Sequence, residues 1–303
     1  GLEVSALSFG ASSLGSVFRE VKEEDAITTV HVALELGINY IDVAPAYGAT
    51  LSETLLGKAL KGIPRDQYVL STKVGKTTAP GAYGADVFNY SEAAIRQSLD
   101  ASAKRLGVDY FDIVHIHDME YNHRQHTEWA LTEGVQTLRA LKAEGRIGFV
   151  SFGMYPIDLW QRVIAEDLLD VGLTHNHYCL NDTQLTELIP KARAKGIGLI
   201  NASPFASSLL TNRGPADWHP ASASDRAIFA RAAAYCAEQG EDISRLALQF
   251  ACQNEDIATT MFSSANPDSV RRNVAWSTQA LDARLLQEVQ AILSPVMNKE
   301  WDY

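Results

Sequence analysis

Short apolar runs alternate with longer amphipathic stretches along the whole chain. The runs at 4–9, 39–43, 68–73, 110–117, 147–152, 171–175, 197–203 and 257–262 are rich in Val and Ile and largely lack a polar face. Such runs predict parallel strands covered by helices on both sides. Between them, apolar residues recur at helical spacing over 23–36, 51–60, 91–106, 128–144, 157–166, 184–195, 224–239 and 243–254. Two further helical stretches, 268–278 and 282–293, follow the last strand. Gly37, Gly107, Gly145, Gly196 and Gly240 stand where helices would end, and Ser91 stands where one would be capped at its start. Repeated strand–helix units with no Pro/Gly/Ser-rich linker fit an α/β chain folded as a single (β/α)8 TIM barrel, one domain over 1–303. A doubly wound sheet would be announced by G-x-G-x-x-G after the first strand; Gly10-Ala11-Ser12-Ser13-Leu14-Gly15 lacks the middle glycine.

Composition narrows the partners. The 303 residues carry a net charge of −11, which disfavours nucleic acid and anionic membrane surfaces. No stretch approaches the ~20 apolar residues of a membrane helix. The N-terminal residues show no basic segment followed by an apolar one, so no secretory signal is expected. Cys179, Cys236 and Cys252 are odd in number and far apart, which fits buried thiols in a reducing cytoplasm rather than a disulfide framework or zinc site.

Two long connections follow strands, 74–90 and 206–223, and belong at the C-terminal mouth of the barrel, where barrel active sites are built. A third, 118–127, is expected over the same mouth. Its His123 and His126 lack metal-ligand spacing, so no metal is expected. Asp42, Lys73 and His117 each end an otherwise apolar strand, and Tyr47 follows Asp42 on the next loop. A charge at such a strand end is costly unless paired or used, and an Asp42–Lys73 pair satisfies both. A buried pair closing the barrel top is the plain alternative for those two alone. Convergence of the four suits carbonyl/alcohol redox. The Tyr47 hydroxyl would move the proton on the substrate oxygen, Lys73 would make that phenol more acidic, Asp42 would hold the lysine, and His117 would orient the substrate.

The segment Asn39-Tyr40-Ile41-Asp42-Val43-Ala44-Pro45-Ala46-Tyr47-Gly48, with Ser52-Glu53 and Leu56-Gly57, resembles the aldo-keto reductase signature, and Lys73 and His117 match the remaining tetrad positions. The likeness runs over essentially the whole chain. At subfamily level, pieces such as His117-Asp118, Trp218-His219-Pro220 and His177-Tyr178-Cys179-Leu180-Asn181-Asp182 resemble the aldose 1-dehydrogenase members. The resemblance implies hydride transfer from C1 of a cyclic sugar to a nicotinamide, giving a lactone; NADPH-linked aldehyde reduction and a non-catalytic barrel are the alternatives. It implies a cofactor site at Ser151, His175, Ser203, Phe205, Ser263, Ser264, Asn266, Ser269, Arg272 and Asn273, with phosphates at the helix start near Asp268. Ser263 and Ser269 stand where NADP-preferring members carry cations, so NAD is expected, with NADP as the alternative. Substrate contacts are expected from Phe18, Asp118, Glu120, Tyr155, His177 and Trp218, with Trp129 and His219 as weaker candidates. The partner is a small-molecule sugar, and the chain a monomer or dimer.

Overall fold

A computed structural model of the chain describes residues 1–17, 19–78, 86–217 and 219–301. Its strands are β1 (Leu7–Gly10), β2 (Tyr40–Asp42), β3 (Val69–Val74), β4 (Lys76–Thr78), β5 (Asp86–Phe88), β6 (Phe111–His117), β7 (Ile147–Met154), β8 (Val171–His175), β9 (Gly198–Ala202) and β10 (Thr259–Ser263). All but β4 and β5 form a closed barrel in the order β1-β10-β9-β8-β7-β6-β3-β2, with β2 returning to β1. Neighbouring barrel strands are parallel throughout. The architecture is the expected (β/α)8 barrel.

The helices are α1 (Glu23–Glu35), α2 (Leu51–Leu60), α3 (Glu92–Leu106), α4 (Thr127–Trp129), α5 (Val135–Ala143), α6 (Ile157–Ala165), α7 (Ile189–Ala194), α8 (Ala223–Glu238), α9 (Ile243–Ala251), α10 (Pro267–Ser277) and α11 (Ala283–Leu293). Ser91 caps α3 by accepting from the Ala94 N–H, and Gly107 ends the helix with φ +70°. Two predicted helices are interrupted. The stretch 128–144 passes through a π-helical turn, Ala130–Gly134, between α4 and α5. The stretch 184–195 opens as a 3-10 turn before α7, where Pro190 sits at the helix start without an N–H to offer.

The core lies in two shells. Tyr40, Val69, Ile113, Leu173, Ile200 and Met261 fill the barrel interior. A larger shell packs the outer faces of the strands against the helices, with Trp160, Phe152, Leu56 and Leu138 fully buried in it. The Ser52-Glu53 pair of the signature belongs to this scaffold. Buried Glu53 accepts from Thr72 Oγ1 at 2.9 Å and Arg105 Nε at 2.7 Å, and Ser52 Oγ donates to the Ala11 carbonyl at 2.6 Å. These bonds fix α2, and the loop before it, to the barrel wall.

The long connection 74–90 contains the antiparallel pair β4–β5, in which Lys76 faces Phe88 and Thr78 faces Asp86. Three-residue strands are too short to display alternation, so the pattern could not announce them. Gly75 makes the exit from β3 possible. Its φ is +93°, and a Cβ there would stand 2.1 Å from Tyr90 Cε1.

Candidate active site

Strand register places the candidate residues in layers at the C-terminal end of the barrel. Gly10 pairs with Asp42, Asp42 with Ser71, Lys73 with His115, His115 with Ser151, and His117 with Gly153. Side chains two apart on a strand share a face, so Ser71 and Lys73 point the same way, as do His115 and His117. A column of polar groups therefore rises from the apolar interior. Ser71 Oγ donates to Asp42 Oδ1 at 2.6 Å, leaving the Tyr40 hydroxyl, 3.0 Å away, to donate to Ser71. Lys73 Nζ forms a close ion pair with Asp42 Oδ2 and reaches the Val43 carbonyl at 3.3 Å. Burial alone would raise the Asp42 pKa, but Lys73 and His115 outweigh it and hold the carboxyl well below the usual range.

His115 was not singled out from the sequence. Its Nε2 lies 3.4 Å from Asp42 Oδ1 and its Nδ1 lies 2.8 Å from Ser151 Oγ. Burial pushes its pKa down, so it sits as a neutral spacer beneath the site. Its spacing of two from His117 was the signal that could have found it. Ser151, expected at the nicotinamide, is fully buried in this column and does not line the cavity.

Tyr47 is held by an unusually close backbone approach. A Cβ at Gly48, where φ is +62°, would stand 2.0 Å from the Gly15 carbonyl oxygen. Only glycine allows the Tyr47–Gly48 turn to press against the 3-10 turn Ala11–Gly15. The Tyr47 ring meets His117 edge-on at 5.9 Å, and Lys73 Nζ stands 5.3 Å from its centroid. The four candidate head groups thus converge on one cavity. The expected acidification of the phenol is not found. Burial, followed by Asp42 and Asp118, pushes the Tyr47 pKa well above its ordinary value. Lys73, engaged by Asp42, does not outweigh these effects; its ammonium stands against the ring face. Tyr47 is a phenol here.

His117 is buried, its Nδ1 has no hydrogen-bond partner, and its Nε2 lies 3.5 Å from Asp118 Oδ2. Burial dominates and lowers its pKa to about 3, so the imidazole is neutral. Asp118, with φ +49°, is held as a carboxylate against the opposing effect of burial, and beside the neutral His117 ring the Lys76 ammonium at 2.8 Å is what holds it. Lys76 was missed: a lysine at the start of a long loop reads as solvated, yet it is buried here between Asp118 at 2.8 Å and Asp86 at 2.9 Å.

The cavity, of about 1020 Å³, runs from Lys76, Asp86 and Tyr121 past the four residues to Ser263, Ser264, Asn266, Ser269, Arg272, Asn273 and Trp276. His175, Ser203 and Phe205 line it as expected. Gly10, Gly153 and Ala202, with the apolar side chains of Leu173 and Met261, also line it. A Cβ at Gly153 would make ordinary contacts at 3.7 Å with the Lys73 and His115 side chains, so those side chains border the glycine. At the far end Ser263 Oγ bonds to Ser12 Oγ at 3.0 Å and accepts from the Ser13 N–H at 2.9 Å. The α10 terminus differs from expectation. Asn266 Oδ1 already accepts from the Asp268 N–H at 2.9 Å and the Ser269 N–H at 3.4 Å, so those donors are not free for phosphate. Arg272 donates to Ser269 Oγ at 3.2 Å and lies over the Trp276 ring at 5.1 Å.

The expected substrate contacts divide. Asp118 lines the cavity. Phe18 and Trp218 lie outside the described residues. Glu120, Tyr155 and His177 stand behind the wall. Tyr155 stacks on cavity-lining His175 at 5.2 Å and on His177 at 4.5 Å, and its hydroxyl accepts from the Trp301 N–H at 3.2 Å. His177 is fully buried, with Nε2 2.7 Å from the Tyr155 carbonyl oxygen and Nδ1 3.3 Å from Asp182 Oδ2. Glu120 Oε1 accepts from the Tyr155 N–H at 2.8 Å, while burial and Asp118 raise its pKa to about 8. Trp129 packs against Tyr90 and donates to Glu133, and His219 packs against Trp301. No group of metal-ligating side chains occurs among the described residues.

A barrel with such a column beneath its mouth defines the class, and comparison with known proteins agrees. The aldo/keto reductase family model matches residues 6–294, and the chain belongs to that family of nicotinamide-dependent oxidoreductases. It is 40% identical to the L-galactose dehydrogenase of Arabidopsis thaliana over 99% of this chain and 94% of the relative. It is 33% identical to the D-arabinose 1-dehydrogenase of Saccharomyces cerevisiae, over 82% of this chain and 75% of the relative. Among solved structures, an aldo-keto reductase of Bacillus halodurans in its holo form superposes with a TM-score of 0.78 at 24% identity, covering 99% and 95% of the two chains.

Proposed function

We propose that this protein oxidises an aldose at C1 to the lactone, with L-galactose as the first substrate to test and L-fucose and D-arabinose next, using NAD. The convergence of Tyr47, Lys73, Asp42 and His117 on one cavity carries this reading. The sugar specificity is inferred from the relatives, and the polar Asp118–Lys76 pair at the cavity suits a hydroxyl-rich ligand better than an apolar aldehyde. A bound nicotinamide supplies the hydride acceptor. Gly153, Ala202 and His175 would border its ring, with the serines around Ser263 and Asn273 towards its other end.

In oxidation Tyr47 receives the C1 hydroxyl proton, and in reduction it returns it. Because Tyr47 is a phenol whose pKa is raised, oxidation requires its deprotonation and should speed up as pH rises above neutrality. Neutral His117 can hydrogen-bond the reacting oxygen, and the Lys73 ammonium stabilises negative charge as it develops on the phenol oxygen. The cofactor preference rests on Ser263 and Ser269, which offer no charge to a 2′-phosphate. The free thiols fit a reducing, cytoplasmic setting.

Tyr47→Phe tests the assignment. It should preserve folding and cofactor binding, measured by nicotinamide fluorescence, and lower turnover by about 10²–10⁴-fold. Near-normal turnover would remove Tyr47 from the reaction. Comparing kcat/KM with NAD and NADP tests the preference, and a higher value with NADP would reverse it.

A further inference from the structure

The Asp86–Lys76–Asp118 triad is not part of the four-residue constellation, yet it lines the same cavity, with Lys76 and Asp118 buried and Asp86 half-buried. Lys76 Nζ lies over the Tyr121 ring at 4.2 Å and near the Phe88 ring at 5.9 Å, so aromatic faces and two carboxylates enclose the ammonium. Burying the Lys76 and Asp118 charges to fasten a short hairpin is expensive where a solvated lysine would serve. One oxygen, Asp118 Oδ2, lies 2.8 Å from Lys76 Nζ and 3.5 Å from His117 Nε2. That carboxylate oxygen therefore faces both the Lys76 ammonium and the neutral His117 ring.

We propose that Lys76 is a positioning residue for the reaction: by holding the Asp118 carboxylate it keeps Asp118 from forming an ion pair with His117. This rests on the reading of His117 as a group that contacts the substrate oxygen. The charged and titratable groups around His117 are Asp118, Lys76, Lys73 and Asp42, with the Tyr47 ring beside it and the Tyr90 hydroxyl on its backbone carbonyl. His175 and Glu120 act on Asp118 from β8 and from the loop after β6. Within this set the two lysines oppose a proton on His117 and the two aspartates favour it. Removing Lys76 deletes one opposing charge and frees one favouring carboxylate, so both changes act in the same direction. The neutral ring keeps one nitrogen as a donor and the other as an acceptor, whereas the protonated ring can only donate.

The experiment is an NMR pH titration of ¹³C/¹⁵N-histidine-labelled protein without substrate, with the His117 signal assigned by its loss in His117→Gln. In Lys76→Met the His117 titration should move up by about 1–3 pH units. Lys76→Arg should restore the low value, and Lys76→Met/Asp118→Asn should largely cancel the rise. Lys76→Gln provides the same charge removal if Lys76→Met does not fold. In parallel, the acid limb of kcat/KM should move up with the NMR value. An unmoved His117 titration in a folded Lys76→Met or Lys76→Gln protein overturns the proposal, as does a rise that persists without the Asp118 carboxylate. An increase in KM alone, with the titration unchanged, would make Lys76 a simple substrate contact and would also overturn it. The titration needs no turnover, so it stands apart from the Tyr47→Phe test of the redox reading.

Discussion

Neutralising the Asp42–Lys73 pair one member at a time, and then both, separates its structural cost from its chemical use. The side chains are 4% and 2% exposed. Asp42→Asn leaves the Lys73 ammonium buried with the Val43 carbonyl 3.3 Å away. Lys73→Met leaves the Asp42 carboxylate with Ser71 Oγ at 2.6 Å and His115 Nε2 at 3.4 Å. Removing one partner of a buried pair costs about 3–5 kcal/mol, while replacing both with neutral groups is often close to neutral. Each single variant should therefore lose about 3–5 kcal/mol, and Asp42→Asn/Lys73→Met should lose less than about 2 kcal/mol. Urea unfolding followed by far-UV circular dichroism gives the stabilities, and kcat/KM on the same preparations gives the function. The double variant should recover stability but not turnover. Losses that simply add would refute the buried-pair account, and an active double variant would refute a catalytic use of the ammonium.

Gly48→Ala should destabilise the fold and displace Tyr47, because the new Cβ would meet the Gly15 carbonyl oxygen at 2.0 Å; a shift of about 1 Å costs on the order of 100-fold in turnover, and wild-type kcat would refute the tight-turn account. His117 and His175 have folded-state pKa values lowered to about 3 and about 4, chiefly by burial. Their contribution is fully present above the unfolded value of about 6.5 and is lost as pH falls towards 4 and 3, at up to about 1.4 kcal/mol per pH unit each. Urea midpoints that stay flat from pH 7 to 4.5 would contradict this. Glu120, raised to about 8 by burial and Asp118, has the opposite sign: its contribution is present below about pH 4.5 and is lost as pH rises through 8. Glu120→Gln should therefore gain about 1 kcal/mol or more over the wild type at pH 8 and gain little at pH 4.5. Equal stability at both pH values would count against a protonated Glu120.

Most of the scaffold was legible because it is written in local periods. The eight barrel strands fall on the predicted apolar runs, and Ser91 and Gly107 mark the ends of α3 as their chemistry requires. Asp42, Lys73 and His117 stood out because charge or imidazole at the end of an apolar strand has few inexpensive explanations. The hairpin β4–β5 was not legible, since its three-residue strands show no alternation and the partners of Lys76, Asp86 and Asp118, lie far along the chain. His177 and Tyr155 look like substrate ligands in a linear motif, but His175, Asp182 and Trp301 occupy them behind the wall.

The sequence alone determined the barrel, the strand ends that carry chemistry, and the tetrad that converges there, because side-chain periodicity and the cost of burying charge are properties of short segments. The tertiary structure decided protonation and access. Lys73 is engaged by Asp42 and leaves Tyr47 a phenol, Asn266 holds the α10 donors, and Lys76 shares Asp118 with His117. Each of these depends on distances of a few ångströms between segments far apart in the chain. Barrel closure sets those distances, and no local pattern encodes them.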